Sequence, residues 1–215
     1  MTARNSLTTD RTRAVNALTA LLRSNDLSMD ARTALSKTQM TAIAAWRSRN
    51  EELSLSIARA EAVRLAKHVL ALDEQLDAHE TQLTELVQIS EAAPLLEEKG
   101  VAAISAAKCL AAWSHHGRIS SETEFASLAG VNPIPASSGN TIRHRLNRGG
   151  DRALNSVLHM VTVTRMQHDA ETRAYVDKRR AEHKTDREIR RCLKRYIARR
   201  IFKLLNASAV SRQPA

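Results

Sequence analysis

Between residues 65 and 86 the side chains recur in a pattern that a helix can use and a strand cannot. Leu65, Val69, Leu72, Leu76, His79, Leu83 and Leu86 step by 4, 3, 4, 3, 4 and 3. A strand would scatter that set over both its faces, whereas a helix gathers it into one heptad seam with a single polar intruder, His79. The seam predicts one long helix from about Glu51 to Ser90. Its apolar edge needs a partner. An antiparallel pair with residues 11–47 of the same chain is the simpler solution, and pairing between chains is the alternative. His79 reads as a polar residue that sets register rather than as a ligand.

The flanking segments are also helical in pattern. Val15, Leu18, Leu21 and Leu22 recur at helical spacing from Arg11 to Arg23, after a loose start over residues 1–10. Asn25-Asp26 breaks that helix, and a second is expected from about Met29 to Arg47, with Leu35, Ile43 and Trp46 inward. Pro94 closes the region. Shorter elements follow at 94–99, 102–113 and 121–128, the last opened by the capping box Ser121-Glu122-Thr123-Glu124 and stopped by Gly130. Asp151 caps a helix to about His168, and Asp169 caps another to about Ala181. Thr185-Asp186-Arg187-Glu188 opens a last helix to about Leu205. With only 6 Gly and 4 Pro there is little to interrupt helices, and no run of alternating β-branched residues offers a strand. The chain therefore reads as all-α. A helical hairpin or coiled coil spans residues 1–92. A compact helical domain with a helix-hairpin-helix-like element spans 93–206, and a disordered tail spans 207–215.

Cys109 and Cys192 are too few and too isolated for a disulfide framework or a zinc site. No hydrophobic signal core opens the chain. The longest apolar stretch, Val101 to Trp113, is broken by Lys108 and is too short to span a bilayer. A cytoplasmic protein is expected.

Charge is unevenly placed. Residues 141–205 hold 18 Lys and Arg against 7 Asp and Glu, a net of +11, while residues 1–140 hold 14 against 16, a net of −2. A polyanionic partner is therefore expected at the C-terminal third, and the bland alternative is a solvated surface. Three local features bear on this. Gly100-Val101-Ala102 lies between short helices and resembles the hairpin of a helix-hairpin-helix, where backbone N–H groups meet a DNA phosphate; a plain helix–helix turn is the alternative. Residues 131–150 lack periodicity and form a long loop. It carries Ser137 and Ser138 beside Gly139, then Arg143, His144, Arg145 and Arg148, with Arg152 just beyond. A serine hydroxyl beside cations suits attack on a phosphodiester, with His144 as proton shuttle; a serine-rich turn on a basic surface is the alternative. In the last helix, Arg187, Arg191, Arg195 and Arg199 are spaced by four, with Arg190 and Lys194 alongside. Ile189, Leu193, Ile197, Ile201 and Leu204 form the opposing apolar stripe.

The order of these features carries a resemblance. Trp113-Ser-His-His-Gly-Arg-Ile-Ser-Ser-Glu, Phe125-Ala-Ser-Leu-Ala-Gly-Val-Asn-Pro-Ile-Pro-Ala-Ser-Ser-Gly and Arg143-His-Arg-Leu-Asn-Arg-Gly-Gly-Asp-Arg-Ala-Leu-Asn resemble the C-terminal domain of transposases of the insertion-sequence-110 family (110/116/902 type). Thr172-Arg-Ala-Tyr-Val and Arg191-Cys-Leu-Lys-Arg-Tyr-Ile-Ala-Arg extend the likeness, and residues 10–95 resemble that family's coiled-coil linker. The resemblance implies DNA recombination through a covalent serine–DNA link, guided by a structured RNA, in a bacterial, nucleoid-associated homo-oligomer. Ser138 matches the catalytic serine, with Ser137 as the fallback. Gly100, Arg143, His144, Arg145, Arg148, Arg152, Arg187, Arg191, Lys194 and Arg195 are the expected nucleic-acid contacts. The family's RuvC-like nuclease domain, with its acidic ligands for Mg2+, has no counterpart pattern in residues 1–50. No metal or cofactor is therefore expected in this chain, and a truncated, decayed or split copy is expected. Two readings follow: a serine recombinase active only with that further domain, or a non-catalytic helical DNA- or RNA-binding remnant. A third, a structural coiled-coil adaptor, predicts no nucleic-acid affinity.

Overall fold

The heptad seam lies on a helix of 36 residues, α3 (Leu53–Gln88). The computed structural model describes residues 1–137, 144–145, 147 and 149–212. Together they form an all-α fold of eight α-helices, with one two-residue antiparallel ladder. The chain divides into two compact units, Met1–Gln82 and Leu83–Ala215.

In the first unit, α1 (Thr2–Ser24) runs antiparallel to α3. Arg4 reaches Glu80 and Arg11 binds Asp73, ion pairs seven residues apart on each helix. The start of the seam, Leu65 and Val69, thus finds a partner within the chain. Helix α1 begins at residue 2, where a loose start was expected, because these long-range pairs hold its first turns against α3. Leu18, Ile43, Ala62, Ala66 and Val69 close the core. The expected helix over 29–47 shrinks to α2 (Lys37–Ala44). Asp30 accepts from the Arg32 backbone N–H at 2.9 Å, and Arg23 donates to the carbonyl of Ala31 at 2.8 Å. These local bonds hold the preceding segment in an irregular, bent path while Leu27, Ala31 and Leu35 are buried. Ser36 and Gln39 then cap α2 reciprocally. The seam is buried at Leu65, Val69 and Leu72, but Leu86 is 59% exposed and Val87 is buried instead. A straight helix drifts by about 20° per heptad, so a seven-residue pattern rotates off a fixed face.

The second unit is built on α8 (Asp186–Arg212), against which α4 (Ala103–Trp113), α5 (Glu122–Leu128), α6 (Arg152–His168) and α7 (Ala170–Ala181) pack. Leu154, Leu158 and Val161 of α6 meet Ile197, Ile201 and Leu205 of α8 in one core with Trp113 and Phe125. Full burial of each such side chain contributes roughly 1.5–3 kcal/mol. Trp113 also donates its indole N–H to Asn206 Oδ1 at 3.1 Å. The caps fall where the sequence places them. Ser121, Asp151 and Asp169 accept from the N–H groups of Glu124, Leu154 and Thr172, and Thr185 pairs reciprocally with Glu188. Helix α8 continues to Arg212, past the expected end at Leu205. Ala209 is buried and Arg212 donates to the carbonyl of Ile89, so residues 207–212 are helix where a tail was expected. The ladder pairs β1 (Ile134–Pro135) with β2 (His144–Arg145) and gives the long loop a hairpin base.

Two glycines determine where that loop leaves and returns. Gly130 and Gly150 have φ of +66° and +99°. A Cβ on Gly150 would lie 2.5 Å from the carbonyl oxygen of Leu128 and 2.7 Å from the Gly130 nitrogen. A Cβ on Gly130 would lie 2.4 Å from the Gly149 oxygen. Only glycine permits both the left-handed backbone and this approach. Asp151 N–H closes the neck by donating to the Leu128 carbonyl at 2.7 Å.

Candidate functional site

The closed neck brings the loop against one face of α8 and the start of α6. Between them lies an open cleft of about 720 Å³. Helix α8 contributes Arg187, Arg190, Arg191, Lys194 and Arg195 to its wall, and Arg145 and Arg152 approach from the loop side. The single carboxylate among the described lining residues is Asp151, one of whose oxygens is committed to capping α6.

The partners of these cations distinguish the cleft from the rest of the surface. Lys194 Nζ donates to Asn155 Oδ1 at 2.9 Å, and Arg195 donates to Asn132 Oδ1 at 2.6 Å. Arg190 donates to the backbone oxygen of Asp186 at 3.2 Å. The amides are held in turn: Asn155 donates to the Ala129 carbonyl at 2.7 Å and Asn132 to Ser127 Oγ at 3.0 Å. Elsewhere on α8, Arg199 and Lys203 pair with Glu122, and Arg200 pairs with Glu98. Among the described residues no ion pair joins a cleft cation to a carboxylate. Neutral amides therefore orient Lys194 and Arg195 without an ion pair, while Arg190 and Arg191 lie in the field of Asp186 and Glu188 on their own helix. The cations also act back on the site. Burial and then Arg190 pull the Lys194 ammonium below its ordinary pKa. Burial, then Lys194 and Arg190, lower that of His159 on α6.

The structure gathers Arg145, Arg152, Arg187, Arg191, Lys194 and Arg195, expected from sequence as contacts, onto this one surface. Ser137 is exposed two residues after β1. His144 is placed opposite Pro135 in the ladder. Ser138, Arg143 and Arg148 lie outside the described residues. Gly100 is not among the cleft residues. Its turn packs on α6, where an added Cβ would meet Thr164 at 3.2 Å, and the neighbouring Lys99 carbonyl accepts from Arg165 at 2.9 Å. Arg199, expected in the same cationic row, turns to Glu122 instead. Asn132, Asn155 and His159 were not singled out from sequence. The signal was present for two of them: Asn155 and His159 are four apart, beside the apolar set Leu154, Leu158 and Val161.

A family model described as "Transposase IS116/IS110/IS902 family" matches residues 92–177. Residues 92–177 thus match a transposase domain of that family. It is also similar to the insertion element IS110 uncharacterized 43.6 kDa protein of Streptomyces coelicolor, at 30% identity over 155 residues covering 70% of this chain. The chain spans 38% of that relative's length. The transposase domain contributes α4 to α6, most of α7 and the loop to the second unit, and α8 lies beyond the matched residues. No helix among the described residues is long and apolar enough to cross a membrane. Nor do three or more His, Cys, Asp or Glu among them group so as to hold a metal ion.

Proposed function

We propose that the cleft grips the sugar–phosphate backbone of DNA and that the adjoining loop supplies the serine nucleophile of a DNA recombinase, with Ser138 as that residue. The observation that carries the reading is the row of cleft cations, none of them ion-paired among the described residues and two of them, Lys194 and Arg195, held by amides. The match to a transposase family supports DNA as the polyanion. In the reaction, serine Oγ forms a new bond to phosphorus as one bridging P–O bond to deoxyribose breaks. One phosphodiester replaces another, the serine proton passes to a base such as His144, and the departing oxygen takes up a proton. The cleft arginines neutralise charge on the phosphate oxygens as it develops. Mg2+ enters this reading only through a RuvC-like nuclease domain acting alongside. A structured guide RNA and a second copy of the chain are its further partners, and the bacterial nucleoid its setting.

The test uses the chain with element-end DNA and a RuvC-like domain supplied in trans. A covalent protein–DNA adduct is expected with wild type and with Ser137→Ala, and none with Ser138→Ala. Affinity for DNA is expected to fall steeply with salt, log K against log salt having a slope of about −0.9 per phosphate neutralised. Salt-dependent binding without any wild-type adduct would overturn the catalytic half and leave a non-catalytic DNA-binding protein. Affinity insensitive to salt would overturn both.

A further inference from the structure

Within the cleft, four side chains stand apart from the general cationic lining. Asn155 and His159 lie one turn apart on α6, and Arg190 and Lys194 lie one turn apart on α8. The two helices pack together, so the four face one another across the floor of the cleft. Lys194 is tied to Asn155 at 2.9 Å, and Asn155 is anchored to the Ala129 carbonyl at 2.7 Å. The ammonium is thus positioned by the fold and keeps two further N–H donors. Arg190 has its Nε on the Asp186 backbone oxygen, which leaves the terminal nitrogens of its guanidinium for other acceptors. The imidazole of His159 stands close enough to both cations to feel each of them. Two cations and an imidazole brought together raise one another's energy, and the carboxylate that Arg190 feels, Asp186, is itself ion-paired with Arg180. A tetrahedral dianion or a phosphodiester oxygen pair placed among them would relieve it.

We propose that Arg190, Lys194 and His159, held in place by Asn155, form a seat for one phosphate group on the floor of the cleft. The seat deepens the nucleic-acid reading of the same cleft, but it is defined by its own four residues. Phosphate oxygens would accept from Lys194 and Arg190 together, with the imidazole as a third donor once protonated. The group can come from a DNA backbone or from free phosphate, and the recognition chemistry is shared.

The experiment follows the His159 ring by NMR in the full chain, its signals assigned with His159→Gln. Inorganic phosphate is added in one arm and a short DNA duplex in another, both at low salt. The His159 pKa is expected to rise with phosphate. Lys194→Met is expected to weaken phosphate binding by about tenfold or more, the scale of a charge-assisted hydrogen bond. Lys178→Met, which removes an exposed charge on α7 outside the cleft, is expected to leave it unchanged. Arg190→Gln gives the same ranking if Lys194→Met fails to fold. A response to both additions identifies the backbone phosphate as the occupant, and a response to inorganic phosphate alone identifies free phosphate. A His159 signal indifferent to both, or equal losses in Lys178→Met and Lys194→Met, would overturn the seat. A duplex that binds and forms the serine adduct while His159 stays unmoved removes the seat alone. A working seat without any adduct removes the recombinase reading alone.

Discussion

Single residues carry the clearest consequences at the cleft. Burial and two cations disfavour the charged form of His159 in the free protein and lower its pKa. An anion bound beside it favours that charged form, so binding takes up a proton between the free and bound pKa values. Affinity for a DNA phosphodiester, whose own charge is constant in this range, is therefore expected to increase as pH falls from the bound to the free value of His159. His159→Gln is expected to flatten that pH dependence in a calorimetric titration. Asp151 makes a second case, because it serves two roles of opposite sign. Its carboxylate caps α6 and is also the one negative group among the described cleft residues. Asp151→Ala is expected to lower stability by about 1 kcal/mol in a denaturant melt and yet to tighten DNA binding. At Gly150, an alanine would have to hold φ near +99° with its Cβ against two backbone atoms that cannot swing away. Gly150→Ala is expected to cost at least about 1–3 kcal/mol from strain and to open the loop neck, read by melting and by faster proteolysis after residue 130.

At the scale of elements, α8 does two jobs on two sides. Its apolar stripe at Ile189, Leu193, Ile197 and Ile201 was legible from spacing, as were the caps at Ser121, Asp151 and Asp169. These are local: a side chain answers a backbone group three residues away, or packs with neighbours at i+3 and i+4. The second helix was not legible in its expected length, because Asp30 and Arg23 divert residues 25–36 into an irregular path through contacts that no helical periodicity records. The turn before α4 is secured by Glu98, which accepts from Arg165 at 2.7 Å and from Arg200 at 2.9 Å. Burial pushes the Glu98 carboxyl up, and the two guanidiniums more than offset that, leaving it below its ordinary pKa. A carboxylate lowered in the folded state adds stability above its unfolded pKa and loses it as pH falls through the folded one. Glu98→Gln is accordingly expected to be less stable at neutral pH and to show a shallower loss of stability in acid, measured by denaturant midpoints across pH.

For the whole molecule, what matters is which cations are cancelled and which are not. The sequence shows a basic C-terminal third but not which of its charges are paired. The fold assigns Arg165, Arg199, Arg200 and Lys203 to carboxylates, and it assigns Lys194 and Arg195 to asparagines. Converting those amides to acids should therefore matter more than their position suggests. The Asn132→Asp, Asn155→Asp double variant is expected to lower the magnitude of the salt slope of DNA binding by about two, one for each cation newly cancelled, in affinities measured over a salt series. Read alone, the chain already determined an all-α protein, its long central helix, its caps, the basic face of its last helix and its family resemblance, because all of these are written in spacings of a few residues. Only the tertiary structure decided that the start of the seam packs within the chain, that Gly100 and Arg199 stand away from the cleft, and that amides hold Lys194 and Arg195. Asn132 and Arg195 are 63 residues apart and Asn155 and Lys194 are 39 apart. Which faces meet across such distances depends on how the whole core packs, and no local pattern in the chain encodes it.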